Sequence, residues 1–131
     1  MLTKKELKKI AKARLKDAEV LLSGKRFDGA VYLCGYVIEL GLKAKICKTL
    51  SWEGYPASNN EFSNYKSFRT HDLDVLLHLS GVEELIKFSL LYEWSMISQW
   101  NPMKRYQPIG DANKKDAEDM IKSAATLLKI L

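Results

Sequence analysis

From Arg26 to Lys48 the chain reads RFDGAVYLCGYVIELGLKAKICK, and apolar residues fall on nearly every side of a helix drawn through it. Val31, Leu33, Cys34, Val37, Ile38, Leu40, Leu42 and Ile46 cover all quadrants but one. Such a helix, beginning after Asp28 as its cap and running to about Leu50, belongs in the middle of a bundle. The remaining quadrant carries Tyr32, Tyr36, Glu39 and Lys43 at i, i+4, i+7 and i+11, which align on one helical face. A carboxylate therefore sits inside an otherwise buried element. Gly35 and Gly41 predict neighbours whose backbone packs too close for a Cβ.

The flanking segments carry cleaner amphipathic patterns. Leu7, Ile10, Ala11, Ala18, Leu21 and Leu22 form one stripe, opened by a capping box of Thr3 and Glu6 with Leu2 and Leu7 as its staple. This helix ends at Ser23-Gly24, where glycine suits a left-handed C-cap. Arg14 falls in a gap of the stripe, points to the core side and needs a carboxylate there. Glu39 is accordingly expected near Arg14 or Arg105. Lys4, Lys5, Lys8, Lys9, Lys12 and Lys16 lie mostly on the other side, as a solvated face or as an RNA-facing ridge.

Residues 51–69 mix Gly, Pro, Ser and Asn breakers with Trp52, Tyr55, Phe62, Tyr65 and Phe68, so aromatic area is available to pin a long loop to the bundle. A short helix starts at Thr70 and closes at Gly81. Residues 82–100 read as one further helix with Ile86, Leu90, Trp94 and Ile97 on a stripe, ended by Asn101-Pro102. After the loop PMKRYQPIGD, Asp111 caps a last amphipathic helix. No comparable strand signal exists. The pattern predicts an all-α, up-and-down helical bundle of four long helices plus one short helix, in a single domain over residues 1–131.

Composition changes this picture little. The 131 residues are 47% hydrophobic and 28% charged, as in ordinary globular proteins, and no segment approaches the roughly 20 apolar residues of a membrane span. No membrane association and a cytoplasmic location are expected. Cys34 and Cys47, about 20 Å apart along one helix, cannot pair and read as buried thiols. A net charge of +5 suits an anionic partner without specifying one.

Candidate chemistry is sparse. His71, Asp74 and His78 share a helical face but match no strong metal motif, and the histidines read equally as exposed or capping residues. Phosphate-loop, dinucleotide and nucleophile-elbow patterns are absent, so no cofactor, metal or catalytic residue is assigned. What remains is a polar set at core-directed or helix-end positions: Arg14, Glu39, His71 and Arg105, with Tyr32, Tyr36 and Tyr106.

These residues carry a resemblance. Arg14 with Asp17-Ala18, the segment RFDGAVYLCGYVIELGLKAKIC, THDLDVLL, and Arg105-Tyr106 before a last amphipathic helix are similar to the HEPN family (higher eukaryotes and prokaryotes nucleotide-binding). The similarity covers most of the chain. Its most specific part is the GYxxExxLKA pattern at Gly35, Tyr36, Glu39, Leu42, Lys43 and Ala44.

The resemblance implies a helical bundle that commonly dimerises and binds nucleotide or RNA, often beside a nucleotidyltransferase in toxin-antitoxin pairs. The family's nuclease branch cleaves RNA without metal, using an Arg followed four to six residues later by His. Here no histidine follows Arg105, and His71 stands two residues after Arg69, so that motif is absent. The expectation is a homodimeric, non-catalytic binding module whose ligand-binding residues are Arg14, Lys43, His71, Arg105 and Tyr106, with Glu39 and Tyr36 as a structural polar core. The alternatives are a metal-independent endoribonuclease with a non-standard Arg/His arrangement, in which His71 and Arg105 converge through the fold, and a subunit that only docks a partner enzyme.

Overall fold

A computed structural model describes residues 1–131. It is all-α apart from one minimal ribbon, with β1 (Leu2–Thr3), α1 (Lys4–Ser23), α2 (Phe27–Thr49), β2 (Gly54–Tyr55), α3 (Leu73–Ser80), α4 (Glu83–Ser89), α5 (Leu91–Ser98) and α6 (Lys114–Leu128) in chain order. Short 3₁₀ turns span Lys66–Phe68 and Pro102–Tyr106. The central helix is where its pattern places it: α2 packs against α1, α3, α5 and α6, and its buried residues run from Ala30 to Cys47. Burial pushes the Cys34 thiol up to about 12, so both cysteines are free and inert in the core.

The start of α1 follows from its sequence. Thr3 accepts from the Glu6 amide, and Glu6 accepts from the Thr3 amide at 2.7 Å, which satisfies two of the helix's unpaired donors. Its end differs from expectation. Gly24 is not left-handed (φ −84°), and Lys25 takes that conformation at φ 58°. Arg26 N donates to Leu21 O and Lys25 N to Leu22 O, the paired closing bonds of a Schellman turn whose left-handed residue is one position later than the glycine.

Three other boundaries are corrected. Asp28 lies inside the first turn of α2 and its carboxylate is taken by distant amides, so it does not cap that helix. The short helix α3 starts at Leu73 behind an Asp72 cap and not at Thr70, and Asn113, not Asp111, caps α6 through a capping box with Asp116. The single helix expected over residues 82–100 is two. Leu90 leaves helical geometry (φ −132°, ψ 38°), and the break lets α4 lie against α3 while α5 packs on α6. The bundle therefore has six α-helices, of which α1, α2 and α6 are long.

Residues 51–69 are pinned by their own aromatics. Tyr55 is buried and donates its hydroxyl to Phe68 O, while Trp52 packs its ring against those of Tyr55, Tyr65 and Phe68. β2 pairs antiparallel with β1, Leu2 opposite Tyr55. Gly54 is required there, because a Cβ would stand 2.7 Å from Leu2 O. The loop's return leads straight into Arg69, Thr70 and His71, which places those residues beside α2.

Candidate anion-binding site along one edge of the central helix

The polar stripe of α2 forms an edge of the bundle that stays partly open. Tyr32, Tyr36 and Lys43 are half-buried on it, whereas Glu39 is buried, its side chain 5% exposed. Two side chains answer that carboxylate. Lys43 Nζ donates to Oε2 at 3.1 Å from the same helix, and His71 Nδ1 lies 2.8 Å from Oε1. Because a carboxylate only accepts, the His71 proton on this bond belongs to Nδ1 and the other ring nitrogen, Nε2, is left for a further partner. His71 is itself 62% exposed.

His71 and Lys43 line a cleft of about 450 Å³ with Leu2, Leu7, Leu40, Tyr55, Phe62, Arg69 and Thr70. Lys43 stands over the Tyr55 ring at 5.2 Å and Arg69 over the Phe62 ring at 5.8 Å, so both cations rest on aromatic faces. Glu39 offsets one positive charge from below. Arg69 faces the cleft without a carboxylate partner among the ion pairs of the chain.

At the other end of the same edge Arg105 lines a second cleft of about 570 Å³, with Lys25, Arg26, Tyr32, Lys104 and Gln107. The wall is built by Asp28, which accepts from Gly110 N at 2.7 Å and from Ala112 N at 2.8 Å and so ties the 107–112 segment to the start of α2. Those two amides hold the Asp28 carboxyl below its usual value of 3.8. Arg105 lies 4.9 Å from the Tyr106 ring centroid, and the Tyr106 and Tyr32 hydroxyls raise its pKa further.

Hydroxyl groups connect the two ends. Tyr32 and Tyr36 share a hydrogen bond of 3.3 Å between their hydroxyls, and this bond, together with burial, raises the Tyr36 pKa to about 12. Trp100 fixes both rings from behind. Its indole donates to Tyr32 O at 3.0 Å and packs edge-on to Tyr36 at 4.8 Å between centroids. It seats directly over Gly35, where any Cβ would fall inside the indole. The close neighbour that glycine admits is thus a side chain and not a backbone.

The expected site residues divide. Lys43 and His71 meet at Glu39, and Arg105 with Tyr106 stands at the opposite end of the edge. Arg14 joins neither: it is exposed on α1 and bonds Asp17 one turn along, so the expected Arg14–Glu39 and Arg105–Glu39 pairs do not form. Nor do His71 and Arg105 converge, since they line different clefts. His71, Asp74 and His78 also separate, because Asp74 accepts from the Trp94 indole and His78 bonds Glu83; no cluster suited to a metal ion results. Arg69 and Thr70 at one end and Lys25, Arg26 and Lys104 at the other were not singled out by sequence. Arg69 could have been, as the cation adjoining the THDLDVLL segment.

Residues 5–55 match the family model of the HEPN domain. The match takes in α1, α2 and β2, hence Arg14, Tyr32, Tyr36, Glu39 and Lys43, and stops before His71 and Arg105. The resemblance drawn from the sequence is borne out over this region, and the all-helical architecture agrees with it. No curated protein and no solved structure matches the chain. No helix is long and apolar enough to cross a membrane.

Proposed function

We propose that the protein is a HEPN-type binding module that takes a nucleotide or an RNA segment on the open polar edge of α2. The observation that carries this reading is the cleft at Glu39, where a buried carboxylate holds His71 and Lys43 in place while Arg69 and the outer nitrogen of His71 face outward. Charged donors fixed before binding suit a phosphate, because little side-chain freedom is lost when it arrives. The net charge of +5 adds a favourable long-range field. In keeping with the family resemblance the module acts as a homodimer and serves as accessory subunit to a nucleotidyltransferase-type partner. Isothermal titration with nucleotides and short RNA at low salt tests the reading. Saturable binding is expected, weakened by Arg69→Ala, and absence of any heat with every nucleotide and RNA removes it.

A second reading draws on the same hydrogen bond. An imidazole oriented by a carboxylate is a suitable general base or acid, and Arg69 and Lys43 beside it are suited to stabilise a phosphorane, so metal-independent RNA cleavage at this end is the competing activity. Its arginine would be Arg69, not Arg105. Loss of cleavage in His71→Ala, with RNA binding retained, would establish it; intact RNA after incubation with the unmodified protein would dismiss it.

A further inference from the structure

The segment that follows α5 holds large apolar side chains out in solvent. Ile109 is fully exposed, and Met103 and Tyr106 are exposed by more than half. Bonds on either side fix the backbone that carries them. The Asn101 side chain accepts from Met103 N at 2.9 Å, and Asp28 accepts from Gly110 N and Ala112 N, so the chain around Ile109 is tied to the start of α2 while the isoleucine itself is left bare. In the 3₁₀ turn Pro102–Tyr106 residues three apart eclipse one another, so Met103 and Tyr106 form one ridge with Lys104 and Arg105 beside it. Scattered apolar side chains are ordinary on a surface, but three on one pinned segment make a common rim.

That rim borders the first cleft along α2, the one at the start of the helix. Lys25, Arg26, Lys104 and Arg105 line it, and none of them forms an ion pair within the chain. These four cations stand against two carboxylates, Asp28, which the backbone amides engage, and Asp111, which has no partner. Apolar tips around a cationic mouth match a surface that offers phosphates and hydrocarbon at adjoining depths, as an anionic bilayer does. Tyr106, an apolar ring with a polar end, is the residue type that settles at headgroup level. A nucleic-acid strand would leave Ile109 and Met103 unused, because aliphatic side chains give bases no flat face to stack on.

We propose that the protein docks on membranes that carry anionic lipid, with Met103, Tyr106 and Ile109 entering the headgroup layer and the cations of the first cleft meeting lipid phosphates. Such contact needs no spanning helix, and the expectation of no membrane association rested on the lack of one. The docking surface is separate from the Glu39 cleft and does not depend on what binds there.

Co-sedimentation of the full chain with vesicles at low salt tests this. The protein pellets with vesicles of phosphatidylcholine mixed equally with phosphatidylglycerol and stays in solution with phosphatidylcholine alone. Ile109→Ser and Lys104→Ala each lower the partition coefficient about fivefold, the first through lost apolar contact and the second through a lost lipid phosphate. Met103→Ser, which like Ile109→Ser leaves the charge unchanged, acts in the same direction, and the thermal midpoints of these variants stay at that of the unmodified protein. Failure to pellet with the anionic vesicles overturns the proposal, whether or not uridine monophosphate binds in a separate titration. Pelleting that is untouched by both serine variants yet falls as much with Lys16→Ala, on the exposed face of α1, as with Lys104→Ala also overturns it, since net charge alone would then explain adsorption.

Discussion

His71 Nδ1 sits 2.8 Å from Glu39 Oε1, a bond between residues 32 apart in sequence that joins the start of α3 to the most buried helix of the bundle. Its two partners differ in exposure, 5% for the carboxylate and 62% for the imidazole, so they separate structure from function. Glu39→Ala strands Lys43, itself 16% exposed, and is expected to destabilise the fold by about 3 kcal/mol in urea unfolding. His71→Ala is expected to cost less than Glu39→Ala, because the imidazole is largely exposed and Lys43 still pairs the carboxylate, while weakening ligand binding.

Gly35 and Gly41 are expected to respond differently to an added methyl group. Gly35→Ala drives a methyl group into the Trp100 indole, which is pinned by its bond to Tyr32 O; destabilisation of about 3 kcal/mol and a shifted tryptophan emission are expected. Gly41→Ala meets only the ends of Leu128 and Leu131 at 3.0 and 3.1 Å, which can move. The gain of roughly 1 kcal/mol in helix propensity offsets that adjustment, so its midpoint in urea stays near that of the unmodified protein.

Lys25→Gly is expected to stabilise. Lys25 holds φ at 58°, a conformation that costs an L-residue about 1 kcal/mol and glycine almost nothing. A thermal midpoint raised by a few degrees is the readout. No change would show that the side chain compensates for its backbone.

Asp28 makes the first cleft acid-sensitive. Its pKa is depressed by the Gly110 and Ala112 amides, so the carboxylate's contribution is fully present above the ordinary value of 3.8 and is lost as pH falls through the lower folded value. Hydrogen exchange at Gly110 and Ala112 is expected to lose protection below that pH. Asp28→Ala removes the protection at neutral pH, whereas Asp111→Ala leaves it intact.

The architecture was legible where one local signal acted alone. The capping box at Thr3, the left-handed Gly81 and the all-round apolar character of α2 each specify their structure without help from distant residues. Errors arose where an unexpected partner, distant or local, competed. Asp28 looks like a helix cap but is bound by amides more than 80 residues away, and Arg14 looks core-directed yet finds Asp17 three residues along. The break at Leu90 carries no glycine or proline, and packing of α5 on α6 decides it. The stripe Tyr32, Tyr36, Glu39 and Lys43 is readable from spacing, but its partners His71, Arg69 and Arg105 come from loops whose path no periodicity encodes.

The most direct test of the α2 edge as the ligand surface is the salt dependence of pentauridylate binding. A cation that meets a phosphate contributes about 0.7 to the slope of log affinity against log salt for a single strand. Arg105→Ala and Arg69→Ala are each predicted to lower that slope by about this amount, while Lys16→Ala, on the lysine-rich face of α1 and 78% exposed, leaves it unchanged. A slope that falls with Lys16→Ala and is untouched by both arginine variants would contradict the account and place the ligand on α1 instead.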